Sequence, residues 1–355
     1  MKILAINSGS TSTKIAVFAN AKIVFFKNIK HSVDDLKGFK NISDQYEFRK
    51  DIIYDELEKA EVDFDEITAV VGRGGLLKPI PSGVYEVNDA MKKDLLECAR
   101  GQHASNLGGL IADCIAQKLP NAKAYIADPV VVDELDDVAR ITGHPNFERI
   151  SIFHALNHKA VARFHAKCIS KKYEELNLIV VHLGGGITVG AHQKGRVIDV
   201  NQGLDGDGPF SPERSGTLPV GDLAKVCFSG KYTHEEVRKM IVGQGGFAAY
   251  FGTSDAQEVE ELVNKGDKKA LLIFEALAYQ VSKEIGAMST VLKGNVDGIL
   301  ITGGLAYDKW FIELIIERTA HIAPISIYPG EDEMKALALN GIMVLKGEVE
   351  VKKYE

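Results

Sequence analysis

Cysteine is scarce in this chain. Only Cys98, Cys114, Cys168 and Cys227 occur in 355 residues, and none stand at CxxC or any other metal spacing. Their scatter excludes a disulfide framework and a cysteine-zinc module, and reads as buried thiols in a reducing, cytoplasmic setting. A surplus of positive charge is missing too. Lys and Arg number 42 against 49 Asp and Glu, a net charge of −7, with no long basic block, so nucleic acid is not an expected partner. No apolar run approaches the length of a membrane span and the N-terminus has no signal-peptide pattern, so no membrane association is expected. The familiar nucleotide and metal motifs are absent. There is no GxxxxGK[ST], the glycines of LGGGITVG miss GxGxxG by one place, and His154 and His158 in SIFHALNHKA lie four apart without HExxH.

What the chain does have is a repeated pattern. Residues 2–28, KILAINSGSTSTKIAVFANAKIVFFKN, read as strand, polar turn, strand, turn and strand. Residues 178–200, LIVVHLGGGITVGAHQKGRVIDV, read in the same order with a glycine-rich first turn. ITAVVGRGG (67–75) and DGILITGGLA (297–306) are a second matching pair, each a buried strand ending in a glycine turn. Between these blocks, DAMKKDLLECARG, NLGGLIADCIAQKL and KKALLIFEALAYQVSKEIGAM carry apolar residues at three- and four-residue spacing and read as helices. Strands alternating with helices argue for α/β architecture. The composition, 45% hydrophobic and 26% charged, suits a globular chain long enough for two cored domains. No linker separates the halves, so they are expected to pack together around a cleft.

The turn between the first two strands has more polar groups than a hairpin requires. Asn7, Ser10, Thr11, Ser12 and Lys14 supply hydroxyls, an amide and an amine, and Gly184, Gly185 and Gly186 offer backbone N–H groups at the matching place in the second half. Either turn alone is compatible with an ordinary tight hairpin. Two at matching places point to a phosphate chain held between the halves.

These stretches resemble the phosphate and adenosine loops of the acetate and sugar kinase/Hsp70/actin superfamily. Along its whole length the chain is similar to the carboxylate kinases of the acetokinase family, on the side of the butyrate kinases. GRGGLLKPIPSGVYEVND, HASNLGG, ADPVVVDEL, the long run from HLGGGITVGA to PFSPERSGTLP, and PGEDEMKALALNG fall in the family order. The resemblance implies two duplicated actin-like (ribonuclease H-like) domains with a central interdomain cleft. The first would comprise 1–152 plus about 333–355 on the acyl side, the second 153–332 on the nucleotide side. It implies reversible phosphoryl transfer from ATP to a short-chain carboxylate such as butyrate or a branched C4 or C5 acid. ATP or ADP and the carboxylate or acyl phosphate would be the partners, with Mg2+ as cofactor, in a homodimer or higher homo-oligomer. Acetate or propionate remains open as the substrate. So does an ATPase of the actin or Hsp70 kind, although those lack arginines set as in GRGG and PERSG.

Residue by residue, Arg73 and Arg214 match the family arginines that contact carboxylate and phosphoryl group, although local sequence alone allows each to be a surface arginine. His154 and His182 match histidines near the transferring phosphate, and a core histidine is the alternative for His154. Asp128 ends an apolar strand before a proline. Because the substrate is already ionised, its expected part is to orient Mg2+ or Arg214. Asn7, Asp128 and Glu331 match the metal side, with Asp332 and Glu333 as alternatives to Glu331. Gly303 and Gly304 would pass under adenosine, with Asp255 an adenosine-side acid, while His103, Phe153, Pro212 and Gly75 are expected at the acyl pocket. Acetate kinases carry an aliphatic residue in place of Gly75, so its missing side chain is expected to leave room for a longer acid. Each buried methylene contributes about 0.8 kcal/mol, which limits discrimination to roughly fourfold per carbon.

Overall fold

The computed structural model describes all 355 residues, the side chain of Val33 excepted. The chain forms two compact units, Met1–Val132 with Asp332–Glu355, and Asp133–Glu331.

In the first unit β1 (Lys2–Ser8), β2 (Ser12–Ala19) and β3 (Lys22–Lys30) form an antiparallel meander. β4 (Ile67–Arg73) and β6 (Lys123–Ala127) extend it in parallel on the other side of β1. β5 (Val84–Glu86) and β12 (Val351–Lys352) complete the order β12-β5-β6-β4-β1-β2-β3. The helix Asn106–Gln117 is buried along most of its length and meets β4 at a crossing only glycine permits. A Cβ on Gly72 would lie 2.2 Å from the Gly108 carbonyl oxygen, and one on Gly108 would lie 2.3 Å from that of Arg73. Glycine weakens a helix interior. Here it lets the helix press onto the strand that ends in Arg73. The helix Glu333–Leu345, capped by Asp332, lays Gly341 against Ile3 and Val71.

The second unit repeats the plan. β7 (Asn177–Leu183), β8 (Ile187–Gln193) and β9 (Arg196–Val200) form the meander, and β10 (Gly298–Gly303) and β11 (Ile325–Pro329) the parallel extension, in the order β11-β10-β7-β8-β9. Every residue of β7 is buried, which requires cover on both faces. Ile179, Val181 and Leu183 pack with Phe274, Leu277 and Val281 of the helix Lys268–Val291. Leu178 and Val180 point the other way, to Ala162 and Ala166 of the helix Ala155–Cys168. The architecture is therefore α/β with a duplicated mixed sheet. Among the described residues no helix is long and apolar enough to cross a membrane.

Two expectations need correction. The chain enters the second unit at Asp133, earlier than the expected boundary after 152. Residues 133–152 are tied there by polar contacts: Asp136 N–H donates to Ile198 O, Arg149 to Val200 O, and Glu134 accepts from Val197 N–H. The cysteines are not buried thiols either: Cys98 and Cys114 are only half-buried. Cys168 ends a helix and Cys227 ends another (Val220–Cys227), and both are exposed.

The glycine crossing generates a stability prediction. Gly108→Val should lower the melting temperature, since overpacking of this kind costs about 1–3 kcal/mol. Gly221→Ala, where an added Cβ meets nothing within 4 Å, should leave it unchanged or raise it. A Gly108→Val protein melting with its parent would mean the crossing is looser than drawn.

Candidate active site

The turn between β1 and β2 is held from below by a residue that sequence reasoning missed. Arg49, on the helix Tyr46–Lys59, is fully buried. Its Nη1 donates to Gly9 O at 2.7 Å, Ser12 O at 3.3 Å and Thr13 Oγ1 at 3.2 Å, and its Nη2 to Ser10 O at 3.0 Å. Gln45 Oε1 accepts the remaining N–H bonds. Burial lowers its pKa to about 10, so the guanidinium remains charged at neutral pH. The sequence signal existed: Gln45, Arg49, Ile53 and Leu57 recur every fourth residue and are all buried, a cation inside an apolar helix stripe. With its backbone carbonyls drawn down to Arg49, the turn leaves Ser10 and Thr11 exposed, while Lys14 lies opposite Asn7 in the strand register.

Asn7, Arg73 and Glu333 form one cluster in this unit. Arg73 Nη1 lies 3.1 Å from Glu333 Oε2 and 3.4 Å from Asn7 Oδ1, and the Asn7 amide donates to the same carboxylate. The three acids at 331–333 thus have separate roles. Glu333 joins Arg73, Asp332 caps its helix by accepting from Lys335 N–H, and Glu331, in the second unit, has an oxygen 3.5 Å from His182 Nε2. Of the three acids left open by the sequence, Glu333 is the one that meets Asn7. Asp128 is buried at a left-handed backbone position (φ 37°), its carboxylate accepting from Ser82 Oγ at 2.6 Å and Gly83 N–H at 2.9 Å. His103 Nδ1 lies 2.7 Å from Ser105 Oγ.

The expected spare volume at Gly75 is absent. A Cβ there would stand 2.4–2.8 Å from Oδ1, Cα and N of Asn106, whose side chain accepts from Leu76 N–H. Close approach of a helix start, not an acyl pocket, accounts for this glycine.

In the second unit the His154 and His182 rings stack, with centroids 3.9 Å apart and planes 20° apart. His182 Nδ1 is 3.0 Å from Asn157 Oδ1. Arg214 crosses the glycine turn so closely that a Cβ on Gly186 would lie 1.9 Å from its Nη1. That nitrogen donates to Gly203 O, whereas the buried Nε has no hydrogen-bond partner. Burial pushes the Arg214 pKa down. Gly185 lies against Glu213, and Gly184 leaves room beside His182 Nε2. Arg214 also lines a small recess, with room for about one water, together with Gln202, Asp207 and Ser211. Pro212 accepts from Ala248 N–H, and buried Phe153 packs its ring edge-on to His158. Gly303 closes β10 by exchanging backbone hydrogen bonds with Gly330, and Gly304 follows in the open. Asp255 is an exposed helix cap accepting from Gln257 N–H, a local duty sufficient to explain its presence.

Two meander sheets, one turn cradled by arginine and another crossed by arginine, define a chain built on the acetokinase plan. The chain belongs to the acetokinase family. A profile described as Acetokinase family matches residues 148–323. The chain is 55% identical to Butyrate kinase 1 of Clostridium acetobutylicum over 354 residues, covering 100% of this chain and 99% of that protein. It is 54% identical over the same shares to Butyrate kinase 2 of that organism. Among solved structures, acetate kinase of Porphyromonas gingivalis superposes with a TM-score of 0.78 at 18% identity, covering 97% of this chain and 99% of that one. A propionate kinase from Francisella tularensis gives 0.76 at 20% identity over 96% and 98%. At such identities these structures speak for the fold alone.

Arg49→Met should destabilise the protein by about 1–3 kcal/mol, because the buried carbonyls it serves lose their donor. Denaturant unfolding checks this, and an unchanged midpoint would remove Arg49 from the support of the turn. His31, whose Nε2 is 2.9 Å from Thr13 Oγ1, has its pKa lowered to about 4 by burial and by the Arg49 charge. Below pH 6.5 the unfolded histidine takes up a proton that the folded one refuses, so stability should fall between pH 6.5 and 4. In His31→Asn that decline should be shallower. Parallel pH curves would assign the loss to other groups.

Proposed function

We propose that this chain transfers the terminal phosphoryl group of ATP to the carboxylate of butyrate, giving butyryl phosphate and ADP. The observation that carries this reading is the 55% identity to a butyrate kinase over the whole chain. The site chemistry supports it. The substrate carboxylate is ionised at neutral pH and needs no general base, so catalysis consists of placing two oxyanions in line and supplying positive charge to the oxygens between them.

Arg214 suits that task, since its desolvated guanidinium holds an unanswered buried Nε–H beside the glycine turn. His154 and His182 add ring nitrogens at the same place, and Arg73 is the carboxylate-binding cation. Ser10, Thr11, Ser12, Lys14 and the backbone of Gly184, Gly185 and Gly186 take the phosphates, with Gly303 and Gly304 beside adenosine. Mg2+ would suit the hard oxygen donors of Asn7 and Glu333, which meet in the first unit. Bound there with water and phosphate oxygens, it would neutralise charge on the transferred group. The chain works as a homo-oligomer in this reading.

Acyl hydroxamate formation with acids of two to five carbons tests the substrate. Butyrate should exceed acetate in kcat/KM by roughly fifteenfold, the worth of two buried methylenes. Acetate matching or exceeding butyrate would favour the acetate kinase reading, and ATP hydrolysis indifferent to every acid would favour an ATPase. Arg214→Ala should lower kcat at least about a hundredfold with little change in KM for ATP, as expected for a charge used in the transition state. Near-normal turnover would remove Arg214 from the chemistry.

A further inference from the structure

Behind His154 the second unit contains an unbroken file of buried polar side chains. Tyr173 OH lies 2.6 Å from His192 Nδ1, and His192 Nε2 lies 3.2 Å from His158 Nδ1. His158 Nε2 lies 2.9 Å from Thr188 Oγ1, and the same hydroxyl lies 2.9 Å from His154 Nδ1. His158, Thr188 and His192 have no exposed surface. Apolar packing could fill this space at less risk, because a buried polar file is stabilising only when every member is paired.

The two inner rings stay neutral, since burial and neighbouring positive charge hold both pKa values well below 6.5. A neutral imidazole has one N–H and one bare nitrogen. With both nitrogens of His158 and of His192 in the file, each ring must donate on one side and accept on the other. Two arrangements satisfy all four contacts and use every hydrogen: every hydrogen points from Tyr173 toward His154, or every hydrogen points back. A third, in which Thr188 Oγ1 accepts from both His158 and His154, leaves its buried O–H without an acceptor and is disfavoured.

Electrostatics separates the first two. Lys159 and Arg163 act on His192 as positive charges. The buried Lys159 ammonium, held by Glu134 Oε2 at 2.6 Å and Gly195 O at 2.7 Å, lies 5.6 Å from the Tyr173 ring. These cations, Lys159 partly offset by Glu134, favour dipoles whose hydrogens point away from the Tyr173 end, and low dielectric strengthens that preference. His182 at the other end opposes it only when protonated.

We propose that Tyr173, His192, His158 and Thr188 are positioning residues that fix the tautomer of His154. Tyr173 O–H donates to His192 Nδ1, His192 Nε2–H to His158 Nδ1, His158 Nε2–H to Thr188 Oγ1, and Thr188 O–H to His154 Nδ1. His154 therefore carries its proton on Nε2 and presents that nitrogen as a hydrogen-bond donor. No proton is transferred; the file supplies orientation. The consequence for catalysis rests on the reading above that His154 faces the transferring phosphoryl group, where a donor stabilises developing charge and a bare nitrogen would repel it.

Two-bond proton–nitrogen correlation spectra of the full-length protein with labelled histidine report each tautomer directly, because bare and protonated ring nitrogens resonate far apart. His192, His158 and His154 should each show a bare Nδ1 and a protonated Nε2. A protonated Nδ1 on His158 or His192 would overturn the proposal. Thr188→Val cuts the file at its hydroxyl. It should give His154 a mixture of tautomers and lower kcat roughly tenfold, less than losing a whole donor costs, with KM for ATP little changed. Thr188→Ser should restore both. Tyr173→Phe, a milder change at the far end, should leave His192 protonated on Nε2 but shift its bare Nδ1 resonance, because that nitrogen loses its donor. An unmoved His192 signal in Tyr173→Phe, or an unmoved His154 signal in Thr188→Val, would overturn the relay. Full turnover in His154→Ala, with the three tautomers as stated, would instead overturn the placement of His154 at the phosphoryl group and leave the file intact.

Discussion

A guanidinium without access to water must find oxygens, and in the first unit those oxygens belong to the turn at residues 9–13. Arg49 is buried among carbonyls that would otherwise have faced away from the core. Removing one partner from such an arrangement costs more than the bond itself contributes, since the other is left desolvated. The turn is therefore held in one shape by the cost of every alternative. The second unit applies the same constraint to a different element, with buried Lys159 fastening Glu134 to the backbone at Gly195.

Rigid backbone and buried charge also explain how two arginines are held in place without being long flexible tethers. Arg73 leaves a strand end pinned by the Gly72 and Gly108 crossing, and Arg214 lies flat across Gly186. Both side chains are held by partners within their own units, so little rotamer freedom is left to either.

The duplicated sheet was legible in the sequence because a strand buried on both faces reads as a continuous apolar run, and β1 and β7 both do. The turn positions followed from the same runs, since polar or glycine residues interrupt them at matching places. What could not be read were contacts between residues distant in sequence. Glu333 and Arg73 are 260 positions apart, and nothing local marks Glu333 above its two acidic neighbours. Gly75 misled for a related reason. A glycine beside a predicted site offers empty space only if no other backbone enters it, and Asn106 does. Arg49 was written plainly in its helix stripe, but a charge at a buried position is easily read as an interruption of the pattern when it is a part of it.

The first unit is assembled from both ends of the chain, while the second is a single continuous stretch. During synthesis on the ribosome the two cannot mature in the order in which they are numbered. Residues 133–331 have all their strands before the last helix exists, whereas β1 and β4 wait for Gly341 to cover Ile3 and Val71. Glu333 is made 260 residues after Arg73, so Arg73 gains its carboxylate partner only after the whole second unit has been made. A nascent chain thus has its second unit complete in sequence while the first still awaits the helix Glu333–Leu345, so the two units mature in the reverse of their numbering.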